Sequence, residues 1–355
     1  MAYRGGMHTR VARLSHLSGG ELDRYLERGW YRIGPTMMTC RFVHFDDVLR
    51  TAVWTRLDLQ GYRFRKSLRR TLNKVEREIV VTVGLPVLDA EHEAIYQRYR
   101  TIARGERSAT LVDFLYGDRD PSRDVFDTRE VTFRTPDGRL AGFSWFDIGA
   151  TAIQSLVGVY DPAFAGLSLG FASMLVEIRW AQAHGMRWFY PGYVLPGAPA
   201  MDYKLRVGDV EYLHPSGDWR PWAEIDLSVM PTEVLDHHLS VAEAHLDDRG
   251  ASYERFVYPM FEAPAWHTNL STCLTEPLVL LLPGPNERSP RVLYWDLDRG
   301  AYRLRRCVRA SAIARSTRDD ETEGTPVELL VVVEDLATRE SPGTIAAAAA
   351  SLRGR

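Results

Sequence analysis

Cysteine is scarce in this chain of 355 residues: Cys40, Cys273 and Cys307 are the whole complement. They stand far apart, are odd in number and lack CxxC spacing, which excludes a disulfide framework and a four-thiolate metal site. Charge of one sign is also missing. The formal net charge is -3, so the chain is no basic coat for nucleic acid, and any RNA contact has to come from a local patch. No apolar window reaches the length of a membrane span, and the opening residues hold no apolar stretch of signal-peptide length. The expected location is therefore the cytoplasm, without a membrane partner. There is no P-loop and no GxSxG elbow. His237, His238 and His245 fall on one expected helix, yet no well-spaced carboxylate pair shares a face with all three, so no metal is expected. His267 and Cys273 are close in sequence but carry no signature of a Cys/His nucleophile. Internal repeats are absent. The one low-complexity stretch runs from Ala346 to Ala350 and reads as a frayed helix or disordered tail.

What is present is the composition of a globular protein, with 45% hydrophobic and 26% charged residues, enough for two or three domains. Three regions are expected: residues 1–120, residues 121–222 and residues 223–355. In the first, residues 21–28 form a short amphipathic helix stopped by Gly29. Residues 48–59 read as a strand, 63–78 as a helix, 78–83 as a strand and 89–104 as a helix with Ile95, Tyr96, Tyr99 and Ile102 at helical spacing. The second region opens with strands at 130–135 and 140–148, joined by the turn Pro136-Asp137-Gly138. A third strand covers 152–160, a glycine-bearing turn leads into a helix over 169–184, and Gly185 closes it. Residues 186–190 form the next strand. The third region opens with a helix over 232–248 and then turns β-rich, with buried strands at 278–282 and 329–333.

Three segments carry candidate chemistry. On a helical wheel Phe64, Leu68, Leu72, Val75 and Ile79 fall within a sector of about 80°, while Arg63, Arg65, Lys66, Arg69, Arg70, Lys74 and Arg77 fill the rest. Only Glu76 and Glu78 oppose them, so the face suits a phosphate backbone, although a merely solvated face has the same pattern. The turn from Asp161 to Gly170 precedes a helix, where free N–H groups favour an anion; an ordinary turn looks no different. Phe189-Tyr190-Pro191-Gly192-Tyr193 offers two phenols that could donate to an oxyanion or a leaving hydroxyl, or that simply pack at a strand end. Lys204, in Met201-Asp202-Tyr203-Lys204, suits an acidic side chain or a phosphate, or is a plain surface lysine.

These blocks together resemble a known family. The segments 26–34, 64–73 and 92–100, the run Val159-Tyr160-Asp161-Pro162, then Leu169-Gly170, Gly185, Tyr190-Pro191-Gly192-Tyr193 and Met201-Asp202-Tyr203-Lys204 are similar, in order, to the arginyl- and leucyl-tRNA–protein transferases of the N-degron pathway. The resemblance spans about residues 21–222. It implies an α+β fold with a GNAT-like mixed sheet flanked by helices, to which a β-rich C-terminal extension is added. It implies aminoacyl-tRNA as donor and co-substrate, no other cofactor, and a protein or peptide N-terminus as acceptor. Carried over by position, Tyr160, Gly170, Gly192, Tyr203 and Lys204 would bind substrate. Arg65, Lys66, Arg69 and Arg70 would meet tRNA phosphates. Asp161 would orient or deprotonate the amine, while Tyr190 and Tyr193 would donate to the oxyanion or the leaving ribose. The sequence departs from the family in lacking its clustered N-terminal cysteines, in Leu167-Ser168 at the glycine turn and in Leu68 on the basic helix. Alternatives on the same residues are an acyl-CoA-dependent N-acyltransferase, a peptide-tailoring enzyme using aminoacyl-tRNA, and a non-catalytic RNA- or peptide-binding relative.

Overall fold

A computed structural model describes residues 8–103, 108–117, 119–121, 124–314 and 325–352. The chain begins with β1 (Thr9–Arg13) and α1 (Gly19–Glu27). Ser18 caps α1 in a capping box: Glu21 N–H donates to the Ser18 hydroxyl, and the Glu21 carboxylate accepts from Ser18 N–H. Gly29 ends the turn with φ +70°, and a side chain there would meet Leu213 at 2.7 Å. Next come β2 (Tyr31–Ile33), β3 (Thr36–Cys40), β4 (Phe42–Phe45), β5 (Val48–Thr51) and β6 (Val53–Asp58). The single strand expected over 48–59 is thus two. β5 pairs back on β4 as a hairpin, whereas β6 enters the main sheet.

Helix α2 (Lys66–Glu78) buries Leu68, Leu72 and Val75, each worth about 1.5–3 kcal/mol. β7 (Val80–Gly84), α3 (Ala90–Arg100) and α4 (Leu111–Tyr116) follow. The end expected for α3 at residue 104 lies outside the described residues. β8 (Thr128–Arg134), β9 (Leu140–Ile148) and β10 (Ala152–Tyr160) form a meander, α5 (Leu169–Ala183) crosses over, and β11 (Trp188–Val194) returns beside β10. This is the expected strand–strand–strand–turn–helix–strand order. After β12 (Glu211–Leu213) and β13 (Trp219–Pro221), the main sheet is complete, with eight strands in the order β13-β12-β6-β11-β10-β9-β8-β7. Only β10 and β11 run parallel within it. β6 and β7 come from residues 1–120, so the sheet joins the first two expected regions across residue 120. Helices α2 and α5 cover one face of the sheet. The other is covered by α1, α3, α4 and the small sheet β1-β3-β2. Helix α5 is apolar nearly all round because it lies between the sheet and α2.

The remainder is the expected β-rich unit. α6 (Pro231–Asp247), β14 (Glu254–Val257), α7 (Ala263–Trp266), β15 (Leu278–Leu282), β16 (Arg291–Asp296), β17 (Ala301–Ala314), β18 (Thr325–Arg339) and α8 (Pro342–Ser351) follow in order. The five strands form an antiparallel sheet in chain order. The alanine run is not a frayed tail. It lies within α8, where Ile345, Ala346 and Ala349 are buried in one cluster with Leu235, Leu239 and Ala242 of α6. Alanine suits that place: it is a strong helix former, and its small side chain lets two helices approach closely. No helix among the described residues is long and apolar enough to cross a membrane.

Candidate active site

The two parallel strands of the main sheet touch only at their start. β10 and β11 pair at Ala152–Trp188, Ile153–Phe189 and Gln154–Tyr190, and nowhere further along. β10 then bulges between Ser155 and Val157 against β9, and β11 bulges between Phe189 and Gly192 against β6. Each bulge bends its strand, so the strands diverge and leave a cleft. Leu156, Val157 and Gly158 are part-exposed along it. The expected strand at 186–190 in fact runs on to Val194, and Pro191 is tolerated because it lies in the bulge.

Tyr31 fills the crotch of this cleft. Its hydroxyl donates to the carbonyls of Ser155 and Leu156, the latter at 3.0 Å. Burial pushes the phenol well above its ordinary pKa, so it stays a neutral donor. Across the gap, Gly192 adopts φ +90°, and a side chain there would stand 3.2 Å from the Tyr31 ring and 3.4 Å from Lys204 Nζ. The Lys204 ammonium donates to the Tyr193 carbonyl at 2.9 Å and lies 5.4 Å from the Tyr193 ring centre. Tyr203 is exposed beside this group and acts electrostatically on Tyr31. Gly192, Tyr193, Tyr203 and Lys204 are therefore brought together.

Beneath the cleft lies Glu177 of α5, fully buried. Ser144 donates to its Oε1 at 2.8 Å. Burial raises its carboxyl to about 7, and hydrogen bonding from Ser144 and Ser155 only partly offsets this. At the far rim, Gly158 of β10 admits the start of α5: a side chain there would meet Ser173 at 3.0 Å and Gly170 at 3.2 Å. Tyr160 lies over Gly170 and packs edge-on to Tyr99 with ring centres 5.4 Å apart. Phe171 and Ala172 N–H donate to Ser168 O at 3.0 and 2.9 Å, so in the first turn of α5 it is Leu169 and Gly170 whose N–H groups precede the first helical hydrogen bond.

The expected trio of Asp161, Tyr190 and Tyr193 is not one constellation. Tyr190 sits opposite Gln154, whereas Asp161 follows the last residue of β10, about 20 Å along an extended chain. Tyr190 is a buried aromatic among Leu22, Leu26, Trp30 and Met37, edge-on to Trp219. Desolvation raises its phenol to about 12, against the nearby Arg56. Asp161 caps the 3-10 turn Pro162–Leu167: it accepts from Ala163 N–H at 3.0 Å and pairs with Arg98 at 2.9 Å. Its partial burial favours the neutral acid, but these two donors outweigh it and hold the carboxyl below its usual range. That makes Asp161 a poor base and a good cap.

Helix α2 presents Lys66, Arg69 and Arg70 to solvent, with Arg65 at its N-cap. Arg65 pairs with Asp209. Arg69 donates to Phe64 O at 2.7 Å, and Lys74 donates to Gly166 O at 2.8 Å. The last contact joins the basic helix to the turn that starts α5, so the positive face borders the cleft's rim. No group of three or more His, Cys, Asp or Glu suited to a metal occurs among the described residues.

The family model for the arginine-tRNA-protein transferase C terminus matches residues 91–214. An aspartate/glutamate leucyltransferase of Xanthomonas oryzae pv. oryzae is 30% identical over 176 residues, 48% of this chain and 68% of that protein. The chain belongs to this aminoacyltransferase family. Another member, the aspartate/glutamate leucyltransferase of Methylorubrum extorquens, is 26% identical over 228 residues, 60% of this chain and 88% of that one. The match to the Leptospira interrogans enzyme of the same name, at 27% identity, spans 62% of its length. The family's matched stretch contains β10, α5, β11 and Lys204, that is, the whole cleft apart from Tyr31. Tyr31 and Glu177 escaped the sequence reading. Glu177 did leave a signal, as the one acid in the otherwise apolar run Met174-Leu175-Val176-Glu177-Ile178.

Proposed function

We propose that this chain moves an aminoacyl group from aminoacyl-tRNA to the N-terminal amine of a protein or peptide, at the cleft between β10 and β11. The observation that carries the reading is the parting of those strands around Tyr31, with Lys204 and Tyr203 at the mouth and the basic helix at the rim. The aminoacyl ester is already activated, so the protein's task is alignment, proton removal and stabilisation of the oxyanion. Backbone groups exposed where the ladder opens can hold an extended acyl moiety as a strand would. The phosphates of the tRNA end would lie along Lys66, Arg69 and Arg70 and the first turn of α5. No cofactor beyond the charged tRNA enters the scheme, and such a donor goes with a cytoplasmic site of action.

Two finer points favour leucyl transfer to an acidic acceptor. Relatives are named as aspartate/glutamate leucyltransferases, and the Lys204 ammonium stands at the mouth where an acceptor's first side chain would arrive. An in vitro assay with charged total tRNA, labelled acetyl-CoA as a second donor, and peptides bearing each N-terminal residue tests all of this. We expect label from tRNA-borne leucine on Asp- and Glu-initiated peptides. Transfer from acetyl-CoA alone would overturn the donor, and preference for neutral N-termini would overturn the acceptor.

A further inference from the structure

Glu177 is costly where it stands. It is the only acid on the sheet-facing side of α5, it is fully buried, and no cation shifts its charge. A carboxylate in such a place destabilises the fold unless it is neutral or has work to do. The groups that face it are the Ser144 hydroxyl from β9, the Ser155 hydroxyl from β10 and, from the opposite layer, the Tyr31 phenol. No charged group on α2, β8, β11 or the 3-10 segment Pro199–Val207 perturbs it. Its Oε1 accepts from Ser144, while Oε2 takes no well-formed hydrogen bond, although the Ser155 hydroxyl is near enough to draw the carboxyl's pKa down.

Ser155 is the link to the cleft. It is the first residue of β10 past the point where pairing with β11 stops, and it opens the bulge. Its carbonyl is held by Tyr31. Its relative exposure is 9%, against 0% for Glu177, so of the two only the serine has any surface open to solvent.

We infer that the Ser155 hydroxyl accepts the proton of the attacking amine and hands its own to Glu177, which positions and deprotonates that serine. The inference rests on the aminoacyl-transfer reading. The amine nitrogen forms its bond to the ester carbonyl carbon as the bond from that carbon to the ribose oxygen breaks. The proton lost by nitrogen travels through Ser155 to the Glu177 carboxylate, and the reverse transfer delivers it to the departing ribose oxygen. Charge and atoms balance without a further reactant.

Glu177→Gln imitates the neutral acid in shape, so it folds and melts at the same temperature as wild type or higher. With Leu-charged tRNA and an Asp-initiated peptide, its single-turnover rate falls on the order of 100-fold, as for loss of a general base, with KM for charged tRNA unchanged. The wild-type rate rises with pH through about 7, and Glu177→Gln loses that limb. The limb of the acceptor amine itself, near about 8, stays in every variant. Ser155→Ala shows the same loss, and the double variant is no worse than either single one, as groups acting as a unit require. An active wild type whose Glu177→Gln variant keeps both rate and limb overturns the relay alone. A wild type that transfers nothing overturns the functional reading and the relay with it.

Discussion

Arg32 and Asp147 form an ion pair of 2.9 Å whose side chains are 1% and 0% exposed. The guanidinium also donates to Thr128, to Leu115 O at 2.9 Å and to Gly34 O at 2.7 Å, and stands 4.0 Å from the Phe126 ring centre. One side chain of β2 thereby ties the N-terminal layer to β8, β9 and the end of α4, and its neighbour Tyr31 is held in the cleft by the same strand. Replacing Arg32 with Met leaves Asp147 buried without a cation, at a cost of about 3–5 kcal/mol. The readout is the urea midpoint at unchanged slope. Arg32→Met with Asp147→Leu should recover most of the loss, since both charges then go. A single variant within about 1 kcal/mol of wild type would show that the pair does not brace the fold.

Asp161→Asn tests the correction to the expected base. The carboxyl is held low by Ala163 N–H and Arg98, so its stabilising effect is present above the unfolded value of about 3.9 and disappears as pH falls through the lower folded value. Asparagine still caps, so the variant loses only the ion pair, typically under about 1 kcal/mol for so exposed an arginine. The acid limb of stability below about pH 4 flattens. Transfer should stay within a few-fold of wild type with an unchanged pH profile. A hundred-fold loss in rate at an unchanged melting temperature would restore Asp161 to the chemistry.

Much of the main sheet was legible because its signals are local. Strand β10 matched its expected bounds, helix α5 nearly so, and the basic face of α2 emerged from simple periodicity. The cleft was legible in part: Gly192, Tyr193, Tyr203 and Lys204 lie close in sequence and meet in space. The failures have a common cause. Tyr190 and Tyr193 look equivalent in sequence, but the bulge at Pro191 gives them different surroundings. Asp161 looks adjacent to the tyrosines in any ordered motif, yet a whole strand length separates it from Tyr190. Tyr31 and Glu177 reach the site from opposite layers, a relationship that only strand order and packing create. The alanine run misled because composition alone does not say that α6 offers it a surface.

The phosphate role of α2 is open to a salt titration. Lys66 and Arg70 are exposed, with no ion-pair partner among the described residues, whereas Arg65 and Arg69 already have intramolecular partners. Lys66→Ala with Arg70→Ala should therefore reduce the slope of log K against log salt for tRNA by about 1.4–1.8, two phosphate contacts' worth, with the melting temperature unchanged. An unaltered slope would reduce the face to a solvated one.

Lys204 decides whether the mouth of the cleft reads the acceptor's charge. Its ammonium is held at 2.9 Å from the Tyr193 carbonyl, which fixes its position at the mouth, where an acceptor's carboxylate would arrive. A hydrogen bond to a charged group contributes about 1.5–3 kcal/mol, which corresponds to roughly a 10- to 150-fold change in kcat/KM. Lys204→Met should impose that loss on Asp- and Glu-initiated peptides, mainly through KM, and leave Ala-initiated peptides nearly unaffected. The control is the variant's own affinity for charged tRNA, which should not move. An equal loss on acidic and neutral acceptors would mean that Lys204 supports the cleft's shape around Gly192 and Tyr193 and does not select the substrate.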